Sequence, residues 1–117
     1  MKILFLDDNP NRQDIAREHF ALHIFFEAST VEEAVKLLEL HSPYDLVHLD
    51  HDLGGEIFAP SDEQSGYWVA KHISMMEKHL LPKQVVIHSL NDTGAQNIIN
   101  VLKELVPVSH EPFNFSD

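Results

Sequence analysis

"YDLVHLDHDLGG", residues 44–55, is the stretch on which the fold of this chain turns. Leu46, Val47 and Leu49 make an apolar run of strand formers. From His48 to Asp52 two carboxylates and two imidazoles crowd in, and Gly54 and Gly55 then break the chain. A short apolar run bounded by such a break reads as a strand buried on both faces, which delivers its polar groups where it leaves the core.

The same pattern recurs on either side. "KILFLD" (2–7) is apolar until Asp7 and Asp8. "HIFFEAS" (23–29), "QVVIHS" (84–89) and a short "VPVS" (106–109) are the other strand candidates, with "DLVHLD" (45–50) as the third in order. Helical signals lie between them. Asn9 and Pro10 read as a cap and first turn, with Ile15, His19 and Leu22 as the inward stripe. Thr30 and Glu33 offer a capping box to a helix that buries Val31, Ala34, Val35 and Leu38. Ser65 starts a third helix with Val69, Ile73, Met76 and Leu80 inward. "DTGAQNIINVLKEL" (92–105) forms a fourth with Ile98, Val101, Leu102 and Leu105 inward.

Strands alternating with helices imply right-handed crossovers and a parallel sheet covered on both faces. The expected architecture is a single α/β domain over 1–117. It is flavodoxin-like and doubly wound, with strand order 2-1-3-4-5 and the fifth helix missing. In such a sheet ligands sit at the carboxyl ends of the strands, near the switch point between strands 1 and 3. That rule gathers Asp7 and Asp8, Asp50, His51 and Asp52, and His88 and Ser89 around one pocket.

Composition narrows the function. The chain is 44% apolar and 23% charged, with formal net charge −11 and nine histidines. A field of that sign repels nucleic-acid backbones, so bulk duplex binding is not expected. A phosphate-containing small molecule or an RNA end, held locally with metal help, remains compatible. With no cysteine there is no disulfide, thiolate zinc site or Cys nucleophile. "MKILFLDD" is too short for a signal-peptide core and nothing later is long enough to span a membrane, so a cytoplasmic protein is expected.

Converging carboxylates need a partner. At about 4 Å two like charges repel by about 4 kcal/mol at an effective dielectric near 20. Of eight Lys and Arg residues, Arg12 alone lies near these strand ends. A hard divalent cation, Mg²⁺ or Mn²⁺, therefore resolves the cluster formed by Asp7, Asp8 and Asp50. The bland reading makes Asp7 and Asp8 helix caps and Asp52 a turn residue. His48 reads as a hydrogen-bonded core residue, His110 as a residue near the rim. His19, His23, His41, His72 and His79 read as surface or boundary residues.

Over nearly its whole length the chain resembles the receiver domains of two-component signalling. The resemblance rests on Asp7-Asp8, Asp50, Ser89 and "EPF" (111–113). It implies that Asp50 is the position that takes a phosphoryl group, that the acidic pair and the Asp52 carbonyl hold Mg²⁺, and that Ser89 contacts the phosphoryl. Receivers carry a Lys where this chain has Glu111. "LDHDLG", "SGYWVAKHI" and "IHSLNDTGAQN" resemble more narrowly the cyclic-phosphate-processing receiver family, through Asp7, Asp8, Asp50, His51, Asp52, Gly54, Gly66, His88, Ser89, Asn91 and Gly94. This implies phosphoester chemistry with His51, His88 and Asp50 as catalytic residues. An imidazole pair suits general acid–base opening of a cyclic phosphodiester. Ser89 and Asn91 would hold phosphate oxygens, and Asp7, Asp8, Asp50 and Asp52 the metal. Two alternatives stand beside it: a phosphoacceptor receiver with altered chemistry, and a catalytically silent interaction module. The tail "EPFNFSD" is expected to fold back with Phe113 and Phe115 inward, over a face that a homodimer contact would also cover.

Overall fold

The computed structural model describes residues 1–53 and 65–113. Gly54 and Phe115 lie outside them. Five strands form one parallel sheet: β1 (Lys2–Leu6), β2 (Ile24–Ala28), β3 (Leu46–Leu49), β4 (Val85–Ile87) and β5 (Val108–His110). Their order is β2-β1-β3-β4-β5. The helices are α1 (Pro10–His19), α2 (Val31–His41), α3 (Gly66–Ser74) and α4 (Asp92–Leu102), with a single 3-10 turn at Lys78–Leu80. Among the described residues no helix follows β5, and none is long and apolar enough to cross a membrane. The doubly wound topology expected from the strand and helix rhythm is the one observed.

Side-chain alternation divides the core. Leu4, Leu6, Val47, Leu49, Val85 and Ile87 face α2, α3 and α4, where Leu38, Ile73 and Ile98 are fully buried. The opposite parity, Ile3, Phe5, Leu46 and Val86, faces Ala16 and Phe20 of the α1 segment. Phe113 packs against this second cluster, as expected of the tail.

Local signals set the helix starts. Asn9 caps α1 by accepting from the Arg12 amide at 3.0 Å. Thr30 accepts from the Glu33 amide, and the Glu33 carboxylate reaches back to the amide of Ser29, one residue before the cap. Asn91 caps α4 through the Gly94 amide at 2.8 Å.

Three stripe expectations need correction. Ile15 is 40% and Leu22 97% exposed, and His19 is also exposed; α1 turns Ala16 inward and its C-cap Phe20 follows on the same face. The chain turns away after Phe20, so Leu22 never reaches the sheet. Leu105 is 45% exposed because α4 ends at Leu102. The third helix stops at Ser74, so the half-buried Leu80 belongs to the 3-10 turn. The fifth strand begins two residues later than expected, at Val108.

A candidate acidic site at the carboxyl edge of the sheet

The parallel ladder brings three strand ends level. The Asp7 amide donates to Ala28, that of Asp50 to Leu6, and that of His88 to Leu49. Alternation then puts Asp7, Asp50 and His88 on the α1 side of the sheet. Their potential ligand atoms lie within 4.8 Å of one another, and all three residues are buried. Above them opens a cavity of about 480 Å³, lined by Asp8, Asn9, Pro10, Arg12, Asp50, Asp52, His88, Ser89, Leu90 and Phe113.

The two buried carboxylates differ sharply. Asp7 is fully buried and fully bonded. Its Oδ2 accepts from Arg12 Nε at 2.6 Å and His88 Nε2 at 2.9 Å. Its Oδ1 accepts from the Asn9 amide at 2.8 Å and Arg12 Nη2 at 3.0 Å. Burial alone would raise its pKa, but the bonds from His88, Arg12 and Asn9 outweigh that and hold it below the ordinary carboxylate value. Asp50 is 4% exposed, and its Oδ2 has no hydrogen-bond partner among the described residues. Arg12 Nη2 stands 3.6 Å away, too long for a hydrogen bond. Burial and the neighbouring Asp7 charge push Asp50 up to about 7.

A row of imidazoles supports Asp7 from behind. His88 stacks on Phe5 with centroids 4.9 Å apart, and its Nδ1 lies 2.7 Å from Nδ1 of His48. Burial lowers the pKa of both rings, that of His48 to about 3. Both are therefore neutral at pH 7. An ionised Asp7 only accepts, so His88 Nε2–H donates to it and His88 Nδ1 accepts from His48 Nδ1–H. His48 is the hydrogen-bonded core residue that its place in the strand suggested.

His51 is placed differently from His88. It is fully buried, and its Nδ1 pairs with Asp52 Oδ1 at 2.8 Å. It is not among the described residues that line the cavity. The structure thus does not set the two histidines on either side of one cavity position. His51 instead holds Asp52, whose carboxylate also accepts from Asn91 Nδ2 at 3.1 Å and, more weakly, from Ser89 Oγ at 3.4 Å. Asn91 is buried as cap and Asp52 partner, while Ser89 lines the cavity. Two glycines permit this packing. A Cβ on Gly94 would lie 2.5 Å from the His51 ring, and one on Gly66 would lie 2.0 Å from the Asp50 carbonyl oxygen.

Of two charges expected near the strand ends, one lies elsewhere and one is in place. Glu111 is exposed, and its carboxylate accepts from Ser109 Oγ at 2.7 Å, so it adds no negative charge to the cavity lining. Arg12, reached from α1, supplies the positive charge. Arg12 is the cation that the sequence placed near these strand ends, and it lies four residues before the inward Ala16. His110 sits half-buried with Nε2 donating to the Ser89 carbonyl at 2.6 Å, outside the described lining.

The residues present fit a hard divalent cation. The orphaned Asp50 oxygen, with Asp8 and Asp52 on the same wall, is an oxygen donor set. Asp7 and His88 are close enough to join it, but only by giving up bonds they already make.

Comparison with known proteins gives one family match. Residues 2–104 match the profile of the cyclic-phosphate processing receiver domain. No curated protein matches the sequence. Among solved structures, a CheY-like response regulator receiver domain from Methylobacillus flagellatus is similar at TM-score 0.66 and 17% identity, covering 98% of this chain and 89% of that one. The N-terminal domain of a response regulator/sensory box/GGDEF protein from Carboxydothermus hydrogenoformans is similar at TM-score 0.64 and 17% identity, covering 98% and 85%. Identity at this level shows the fold alone.

Proposed function

We propose a function from this premise: the chain belongs to the cyclic-phosphate processing receiver domain family, whose profile it matches over residues 2–104. It binds a cyclic or terminal phosphate ester together with a divalent cation, Mg²⁺ or Mn²⁺, and hydrolyses the ester. The observation that carries this reading is the orphaned Oδ2 of Asp50, buried beside Asp7 and His88 at the floor of an open cavity. A buried carboxylate oxygen without a donor is costly. A cation and its bound phosphate would satisfy it.

Asp8, Asp50 and Asp52 would hold the cation, and Asp7 would join them on giving up bonds it makes to Arg12. When bound, the cation would offset charge developing on the phosphoryl oxygens. Ser89 Oγ, on the cavity wall, donates to a phosphate oxygen. Asn91 acts at one remove, through Asp52. His88 is the imidazole that faces the cavity and is the acid–base group of this reading; it exchanges its bond to Asp7 for one to the substrate. His51 orients Asp52. The substrate is a small phosphate ester or an RNA end, because the acidic surface disfavours long duplexes.

The test is a screen of cyclic and linear nucleotide phosphates with Mg²⁺ and Mn²⁺. The parent should turn over at least one cyclic phosphate. His88→Ala and Asp50→Ala should lose that activity about a hundredfold or more while remaining folded. Inertness towards every ester, with no binding of any, would remove the reading.

A second reading has its own observation. Glu111 is not among the described residues lining the cavity and Arg12 stands 3.6 Å from Asp50, so a phosphorylated Asp50 would not lack a counter-charge. Incubation with acetyl phosphate and Mg²⁺, followed by intact mass measurement, separates the two. Stoichiometric addition at Asp50 supports phosphoacceptance; an unmodified mass beside ester turnover supports hydrolysis.

A further inference from the structure

We infer that Arg12 is a built-in counter-ion that competes with the divalent cation for this site and turns to the phosphate once the cation has entered. The inference rests on the cation reading above and adds the residue that regulates it.

Three observations lead there. First, Arg12 is the one Lys or Arg among the described residues lining the cavity, and the Lys that receivers carry after β5 is replaced by Glu111, which is bonded to Ser109 and not part of that lining. Second, its Nη2 lies between the carboxylates, 3.0 Å from Asp7 Oδ1 and 3.6 Å from Asp50 Oδ2. That is where positive charge best relieves their repulsion, and a cation bridging the two would claim the same oxygens. Yet the guanidinium satisfies only Asp7. The 96% buried Asp50 keeps an oxygen without a hydrogen bond. Arg12 thus fills this position incompletely, and a smaller, doubly charged ion would fill it better.

Third, the guanidinium has a way out. The Arg12 side chain is 35% exposed against 0% for Asp7, and it lies on the cavity wall. Its backbone is fixed, because the amide is held by the Asn9 cap. Leaving Asp50, or Asp7 as well, therefore takes side-chain rotation alone, with no shift of α1. A displaced guanidinium on that wall presents paired N–H donors to the cavity, the geometry that suits phosphate oxygens. One residue would then keep the empty site neutralised and make the loaded site selective for an oxyanion.

The competition has an unusual sign for a residue in a binding site: removing Arg12 should tighten the cation. The full chain is titrated by calorimetry with Mn²⁺, and then, in saturating Mn²⁺, with inorganic phosphate. Arg12→Gln should bind Mn²⁺ about tenfold more tightly than the parent or better. The same variant should bind phosphate about tenfold more weakly. Arg12→Lys keeps the charge without the fork, so it should fall between parent and Arg12→Gln for both ligands. It also serves if Arg12→Gln does not fold. Arg17→Gln is the control: Arg17 is on the same helix, removes the same charge, but pairs with Asp14 and Glu27 at the surface. It should stay within about twofold of the parent.

Mn²⁺ affinity that is unchanged or weaker in Arg12→Gln overturns the inference. So does equal tightening in Arg17→Gln, or undiminished phosphate affinity in Arg12→Gln. Ester hydrolysis by a parent that binds Mn²⁺ no less tightly than Arg12→Gln would sink the inference and spare the proposed function. An inert parent whose cation affinity responds to Arg12 would do the reverse.

Discussion

Beneath α2, α3 and α4 the sheet is aliphatic: Leu4, Leu6, Val47, Leu49 and Ile87 meet Leu38, Ile73, Ile98 and Leu102. Beneath α1 the next residue along each central strand is of another kind. Phe5, His48 and His88 pack ring against ring, His48 reaches Phe20, and this column ends in Asp7 and Asp50. Both sides are buried to a similar degree, yet among the described residues the aliphatic cluster holds Tyr44 as its one ionisable side chain, while the other side is threaded by four. The difference teaches that stability and site chemistry are sorted here by side-chain parity rather than by distance along the chain.

The comparison breaks if the aliphatic side proves to govern ligand binding. Ile98→Ala, in the fully buried face of α4, should cost about 2–5 kcal/mol of stability by urea unfolding. The molecules that remain folded should bind Mn²⁺ as the parent does. A folded Ile98→Ala protein that no longer binds the ion would show the two sides to be coupled.

The next effect is smaller and opposite in sign. Asp50 titrates near 7 in the folded chain against 3.8 as the ordinary value. Its folded pKa is raised, so its share of stability is complete below about pH 3.8 and is lost as pH rises through 7. Asn mimics the protonated carboxyl. In chelator at pH 8, Asp50→Asn should therefore be more stable than the parent by about 1–3 kcal/mol, and the gain should vanish near pH 4. Thermal unfolding across that range checks it. A variant less stable than the parent at pH 8 would mean that Arg12 neutralises Asp50 more fully than its 3.6 Å separation suggests.

The smallest effect sharpens the picture of the imidazoles. His48 is depressed from 6.5 to about 3 by burial first and by His88 second. Its stabilising share is present above about pH 6.5 and falls away as pH drops towards 3. His48→Phe should change stability at pH 7 by about 1 kcal/mol or less, since a hydrogen bond is exchanged for an aromatic contact. Between pH 6 and 4 it should lose stability less steeply than the parent. Identical acid limbs would show that His48 does not stay neutral inside.

Much of this was legible in the sequence. Apolar runs ending in Asp7, Asp50 and Ser89 marked the strands, and the alternation rule for doubly wound sheets placed their ends together. The position of His48 two residues before Asp50 carried its burial on the α1 side. What escaped has specific causes. Reading α1 with Ile15, His19 and Leu22 inward rotated that helix off its true Ala16–Phe20 stripe, although Arg12 was still expected beside the carboxylates it binds. His51 looked equivalent to His88 because both closely follow a strand. Beyond the last ladder bond parity no longer dictates direction, and there the packing of Gly94 against the ring decides. The Glu111 carboxylate is taken by Ser109, a local bond that no strand pattern announces.

Two ring nitrogens 2.7 Å apart, Nδ1 of His48 and Nδ1 of His88, can share only one hydrogen. Both rings are buried, against Phe5 and, for His48, Phe20. Such an imidazole hydrogen is visible by magnetic resonance, in water, well away from the crowded amide region. It sits one ring away from Asp7. Any ligand that rearranges the bonds at Asp7 will move that line, whether or not it is ever turned over. The protein thus carries its own reporter of occupancy, one that needs no label and no knowledge of the substrate.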